Sequence, residues 1–241
     1  MIRKRLGINI DHVATIRNAR CESYPEPLRA ALEAEKSGAN SVTIHLREDR
    51  RHIKDYDLKN IKKKLKIPLN LEIAPTNEML NIAIKNKPNF VCIVPEKRKE
   101  LTTEGGLNIL KNKKILKKFV SKLKKNKIRI SLFIEPVLSN VELAFMLGVD
   151  CVELHTGKYC NLYNNNKNVQ KEFLKIKKSS IFAEKINLIV HAGHGLTYES
   201  VKKISKIKSI SEFNIGHFII AESLFFGLKK SIHKFKNIIN S

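Results

Sequence analysis

Apolar residues recur along the chain in short runs, separated by longer stretches with helical spacing. The runs are RLGINI (5–10), SVTIHL (41–46), PLNLEIA (68–74), FVCIVP (90–95), RISLFIEP (129–136), VDCVELHT (149–156), NLIVHAGH (187–194) and EFNIGH (212–217). Each is rich in Ile, Val, Leu or Phe and short enough to be a buried strand. Between them, PEPLRAALEAEKSGA sets Leu28, Ala31, Leu32 and Ala34 on one side with Gly38 as a stop. TNEMLNIAIKNKP offers Thr76 as an N-cap, with Pro88 past its end. Strand then helix, repeated eight times without a Pro/Gly/Ser-rich linker, predicts one α/β domain over 1–241, a (β/α)8 TIM barrel. Two fused α/β halves are the other arrangement this rhythm allows, but no change in composition marks a boundary. The gaps 96–128 and 157–186 exceed a single helix and predict extra helices in the loops after strands 4 and 6.

A barrel of this kind collects its chemistry at the C-terminal ends of its strands, where the βα loops begin. Those ends are polar here: Asn9, Asp11 and His12; His45 and Arg47; Glu72; Glu96, Lys97 and Arg98; Glu135; Glu153 and His155; His191 and His194; Asn214 and His217. A lone strand-end histidine is usually structural. Six of the chain's eight histidines in one predicted ring point instead to a mouth that moves protons, with carboxylate bases and basic anion clamps beside them. Backbone N–H groups at Gly195 and Gly216, behind the seventh and eighth runs, suit a phosphate, because glycine lets the main chain approach an anion closely. The histidine spacings in HAGH and HLREDRRH match no recognised metal motif, and HTGKY lacks the first glycine of a Walker loop, so no metal is expected.

Composition narrows the classes further. The 241 residues are 42% hydrophobic, and apolar stretches such as FIIA (218–221) fall far short of a membrane span, as does the basic start MIRKRLGINIDH of a signal peptide. Four cysteines without a CxxC pair fit reduced thiols, and a cytoplasmic location is expected. A formal charge of +23 raises the possibility of a nucleic-acid partner. The lysines, however, are spread along the chain among asparagines and isoleucines and are not interleaved with aromatics, which reads as a solvated surface with no nucleic-acid or membrane partner. From Lys111 to Lys125, Ile115, Phe119 and Leu123 recur every four residues with lysines between them, the pattern of an outer helix.

GINIDHVATIRNAR, TIHLREDRRHI, NLEIAPTNEM, VPEKRKELTTEGGL, SLFIEP, VELHTGKY, HAGHGLTY and FNIGHFIIAESLFFGL together resemble the pyridoxine 5′-phosphate synthase family, in order from about residue 6 to 228. The lysine-rich segments near 111–128 and 161–178 lie outside that likeness. The resemblance implies condensation of 3-amino-2-oxopropyl phosphate with 1-deoxy-D-xylulose 5-phosphate to pyridoxine 5′-phosphate, phosphate and water. It implies no metal or organic cofactor, and a homo-octamer built from dimers. Carried onto matching positions, His45 and Glu72 become general bases, His194 a general acid, and Glu153 a stabiliser of positive charge in a transition state. Asn9, Arg20, Gly195, Gly216 and His217 would hold the aminoketone phosphate, and Asp11, His12, Arg47, His52 and Thr102 the deoxyxylulose phosphate. Another sugar-phosphate barrel lyase or isomerase would share the phosphate turns but want a metal or a strand-end Schiff-base lysine, for which Lys97 and Lys158 are the candidates. A basic RNA-binding protein would explain the charge but not the histidines.

Overall fold

The computed structural model of the chain describes residues 3–96 and 105–241. Its strands are β1 (Arg5–Asn9), β2 (Ser41–His45), β3 (Leu69–Ile73), β4 (Phe90–Ile93), β5 (Arg129–Ile134), β6 (Cys151–His155), β7 (Ile189–Gly193) and β8 (Glu212–Ile215). All neighbours run parallel and β8 returns to β1, which closes the barrel. The helices are α1 (Asp11–Ala19), α2 (Pro27–Lys36), α3 (Asp55–Lys64), α4 (Asn77–Asn86), α5 (Ile109–Lys125), α6 (Leu138–Leu147), α7 (Gly157–Asn164), α8 (Gln170–Lys185), α9 (Tyr198–Ile204), α10 (His217–Phe226) and α11 (Leu228–Asn240).

Residues alternate across each strand. Leu6 and Ile8 of β1, Val42 and Ile44 of β2, and Phe213 and Ile215 of β8 face outward into one core shared with the helices. The inner face is polar, whereas barrels of this class are usually filled by Val, Ile and Leu. Ser41 Oγ donates to Glu212 Oε1 at 2.7 Å, Arg5 Nε to Glu212 Oε2 at 2.6 Å, and Asn70 Nδ2 to Thr43 Oγ1 at 3.3 Å. Gly7 makes room for this filling: a Cβ there would lie 2.1 Å from Asn214 Oδ1 and 2.7 Å from Ser41 Oγ. Buried polar groups are tolerated when they pair with one another, as these do.

The helices form as their sequences dictate. Thr76 caps α4 by accepting from the Met79 N–H, and Gly38 follows α2 at φ +82. α5 turns Leu116, Phe119 and Leu123 onto the barrel and leaves its lysines in water, as an amphipathic outer helix should. The loop after β6 holds the additional helix α7 before α8. After β4 the described residues carry one helix, α5, and residues 97–104 lie outside the described part.

Directly after β1, Asp11 and His12 open α1, a helix that the sequence pattern does not announce. α1 hides because Arg17, charged but only 1% exposed, occupies one of its inward positions. Its guanidinium grips Asp57 with two bonds of 2.7 and 2.8 Å and donates to the His52 carbonyl at 3.2 Å. Asn18 donates to the carbonyls of Arg51 and His52 at 3.0 and 2.8 Å. Together they fasten the loop after β2 to α1. Arg17→Met would strand the Asp57 carboxylate, whose side chain is 2% exposed. Removing one partner of such a pair costs about 3–5 kcal/mol, so the urea midpoint should fall steeply; a loss under about 1 kcal/mol would show that the clamp matters little.

Candidate active site

The polar ends of the strands converge at one mouth, around two buried carboxylates. Glu153 of β6 is 3% exposed and accepts from Asn214 Nδ2 of β8 at 2.7 Å. Gly193 of β7 leaves space for it, since a Cβ there would meet Glu153 Oε1 at 2.3 Å. Burial raises the Glu153 carboxyl from its ordinary range to about 7, against the hydrogen bond from Asn214. Glu72 of β3 rises as well, through burial first and then through the charges of Glu153 and Asp11. The charge of Glu153 thus opposes ionisation of Glu72, so the two carboxyls titrate as interacting groups.

A second group forms where β1, β2 and the loops after them meet. Asn9 Nδ2 donates to Asp11 Oδ2 at 2.8 Å, and Asp11 Oδ1 accepts the His45 backbone N–H at 2.8 Å. His45 Nε2 lies 2.8 Å from Glu96 Oε1, and its Nδ1 lies 3.9 Å from Glu72 Oε2. The hydrogen bond from His45 holds the Glu96 carboxyl below its usual range against the pull of burial. An ionised Glu96 can only accept, so His45 Nε2 donates to it while Nδ1 faces Glu72. His52 Nδ1 sits 4.0 Å from Asp11 Oδ1, and its ring centre is 5.8 Å from that of His45. Burial lowers the proton affinity of His52. Arg47 is 3% exposed, with Nε 3.5 Å from Asp49 Oδ1.

Asp11, His45 and His52 bring one possible metal donor each within 4.8 Å of one another, a set assembled from separate segments that no sequence spacing reveals. His52 Nδ1, however, already accepts the Ile53 N–H at 2.9 Å, so its lone pair is occupied and the set fits a metal poorly.

On the opposite side lie the ends of β6, β7 and β8. His194 adopts φ +85 and Gly195 φ +77. A non-glycine residue in the left-handed region costs on the order of 1–3 kcal/mol and marks a turn held open by its surroundings. The buried hydroxyl of Thr156 holds it by sharing its one hydrogen between the carbonyls of Gly193 and His194, at 2.7 and 2.6 Å. Burial lowers His194 to about 4, with the neighbouring His155 adding to the effect and Glu135 opposing it. Gly216 packs directly on Asn9, whose Cβ would lie 3.1 Å from a Cβ placed on the glycine. It precedes α10, whose first residue His217 meets His12 edge-on at 4.7 Å.

The mouth thus gathers His45, Glu72, Glu153, His194, Asn9, Asp11, His12, Arg47, His52, Gly195, Gly216 and His217. Arg20 is exposed at the C-terminal end of α1, and no hydrogen bond or ion pair among the described residues joins it to the others. Thr102 falls outside the described residues, with Lys97 and Arg98. His191 does not belong to the ring. It lies within β7, in register with Glu212 at the start of β8, and its charged neighbours Glu212, Arg5 and Arg129 begin their strands. The run NLIVHAGH overstates the strand by continuing to residue 194, and the strand ends at Gly193. His52, on the loop pinned by Arg17, takes its place. Sequence reading also missed the pairs Glu96–His45 and Asn214–Glu153 as pairs, although period-2 polarity in SVTIH and EFNI signals an inward polar face.

Residues 6–241 match the family model described as pyridoxal phosphate biosynthesis protein PdxJ. A relative from Pelagibacter ubique named pyridoxine 5′-phosphate synthase is 59% identical, covering 98% of this chain and 99% of its own. One of the same name from Sulfurihydrogenibium is 51% identical, over 98% and 97%. The phosphoribosylanthranilate isomerase of Thermotoga maritima superposes with a TM-score of 0.58 at 14% identity, covering 99% and 98% of the two chains, a likeness of fold alone.

The pair of buried acids has a measurable consequence. Between pH 4.5, the ordinary value, and about 7, the folded chain keeps a proton on Glu153 that the unfolded chain has lost. Stability is therefore full in acid and is lost as pH rises through that window, by up to about 1.4 kcal/mol per pH unit. Glu153→Gln cannot ionise, so its stability relative to the unmodified protein should climb from pH 5 to 7 and then level off. Chemical denaturation across that range checks it, and parallel curves would count against the shift.

Proposed function

The chain belongs to the pyridoxal phosphate biosynthesis protein PdxJ family, and from that membership we propose how its barrel mouth works as a pyridoxine 5′-phosphate synthase. The reaction is a ring-closing condensation of 3-amino-2-oxopropyl phosphate with 1-deoxy-D-xylulose 5-phosphate that yields pyridoxine 5′-phosphate, phosphate and water. Imine formation and dehydration need groups that take and return protons on both faces of the closing ring. The observation that carries the reading is the pair of proton-holding acids, Glu72 and Glu153, enclosed by histidines at one mouth.

Glu72 serves as a base whose proton affinity burial raises, and His45 as a second base through the Nδ1 that does not bond Glu96. Glu153 stabilises cationic character in the forming ring in the ionised form that it reaches above about pH 7. His194 is neutral at pH 7 in the empty site, and an arriving phosphate supplies the negative charge that favours its protonated, donating form. Asn9, Arg20, Gly195, Gly216 and His217 hold the aminoketone phosphate, and Asp11, His12, Arg47, His52 and Thr102 the deoxyxylulose phosphate. Glycine at 195 and 216 supports the first assignment, because backbone N–H groups there are open to an anion.

The rest of the reading concerns the setting. One domain is supported by a core that runs from Leu6 to Ile239. A cytoplasmic location is supported by four free cysteines, three of them buried. No helix among the described residues is long and apolar enough to cross a membrane. A homo-oligomer, the octamer of the family resemblance, is supported by Leu224, Phe225 and Phe226, which are 71%, 79% and 55% exposed.

Purified protein mixed with both substrates should form pyridoxine 5′-phosphate, and failure to do so would overturn the reading. Glu72→Gln should lower kcat by roughly 10² to 10⁴, the usual worth of acid–base catalysis, with stability little changed. A variant within about threefold of normal turnover would remove Glu72 from the mechanism. His194→Asn should lower kcat with KM nearly unchanged, whereas Gly195→Val should raise KM for the aminoketone phosphate by placing a branched side chain where the anion sits.

A further inference from the structure

One pair of titratable groups at the mouth has no part in the roles above. Glu135 follows β5 and His155 ends β6. Glu135 Oε1 accepts the Gly106 N–H at 2.8 Å and lies 2.8 Å from His155 Nδ1. The hydrogen bond from His155 holds the Glu135 carboxyl below its ordinary range. An ionised Glu135 only accepts, so Nδ1 of His155 donates to it. The other ring nitrogen, Nε2, is buried and has no hydrogen-bond partner among the described residues.

The His155 ring packs against His194. The two ring centres are 4.9 Å apart in an edge-on arrangement, and Phe133 backs both at 5.1 and 6.4 Å. A Cβ on Gly157 would sit 2.5 Å from His155 Nε2 and 2.8 Å from His194 Cδ2, so only a glycine fits between them. The residue after His155 is Thr156, whose hydroxyl clamps the His194 carbonyl. The end of β6 thus touches His194 twice, by ring and by backbone. Both rings open, with Lys158, Asn161 and Gly195, onto one cavity of about 640 Å³.

We propose that Glu135 and His155 are positioning residues for His194: Glu135 fixes the turn and tautomer of His155, and His155 holds the His194 imidazole in the orientation from which it donates. The proposal rests on the role given to His194 above. It divides labour between a carboxylate that orients one ring and a second ring that orients the working one, as acid–base sites generally require of a third group. Among the described residues, the titratable groups that line this cavity with His194 are His155 on β6, Glu135 on the loop after β5, and Lys158 and Cys160 on α7.

Glu135→Gln keeps the size and removes the charge. Imidazole ¹⁵N NMR of the unliganded protein should show His155 losing its single Nδ1–H tautomer and the His194 midpoint moving to lower pH, since the carboxylate favours the charged ring. With substrates, kcat should fall roughly tenfold or more while both KM values stay within about threefold, and Glu135→Asp should recover part of the loss. His155→Asn should give the same split of kcat against KM. Unchanged His155 tautomer and His194 midpoint in Glu135→Gln, or kcat and thermal stability falling together with no change in the NMR titration, would overturn the proposal. The NMR arm needs no substrate, so a parent protein that makes no pyridoxine 5′-phosphate sinks the assigned reaction and leaves the pair to be judged by its spectra.

Discussion

A closed ring of parallel strands must fill the space it encloses, and everything at this mouth follows from what fills it. Side chains that would ordinarily be Val, Ile or Leu are Ser41, Thr43, Asn70, Glu153, His191, Glu212 and Asn214, nearly all withdrawn from water. In so confined a place polar groups pair across the barrel: Ser41 reaches Glu212 and Asn214 reaches Glu153 two strands away, and Asn70 reaches Thr43 on the neighbouring strand. The strands are therefore tied through their inner faces as well as through their backbones, and glycines at 7 and 193 supply the missing volume. The apolar packing that holds the domain together has moved outside the barrel, between strands and helices.

The same side chain behaves in opposite ways according to its partner. Glu96 and Glu135 each meet a histidine at 2.8 Å and are held ionised. Glu72 and Glu153, with no basic partner at hydrogen-bond distance among the described residues, keep their protons to higher pH. The first kind sets which nitrogen of a neighbouring ring donates; the second kind holds its proton above the ordinary carboxylate range. One amino acid thus serves as orienting group and as exchangeable acid within a single mouth.

Much of this was legible in the chain. The run SVTIHL predicts Ser41–His45 almost to the residue, because buried parallel strands are short and apolar enough to stand out. Thr76 and Gly38 mark helix ends through local chemistry that needs no tertiary context. Once the barrel is assumed, its geometry collects the strand-end residues. What was not legible depends on parity and on distant contacts. His191 is moved away from the mouth by the choice of the strand's last residue. α1 escapes because a buried arginine breaks its apolar stripe, and that arginine is acceptable only because Asp57, forty positions on, meets it. Arg20 was placed by family likeness, and its exposed position gives no physical reason for the choice.

The clamp of Arg17 on Asp57 bears on how such a site endures its own titration. Guanidinium groups do not give up their proton in water at any pH an enzyme meets, and the contact with Asp57 raises Arg17 further. The loop that presents His52 hangs from this arginine and from Asn18, neither of which changes charge as the surrounding imidazoles gain and lose hydrogens. Scaffold and cargo are thereby decoupled: acidification can rewrite the protonation pattern inside the mouth while the ground on which His52 stands keeps its shape.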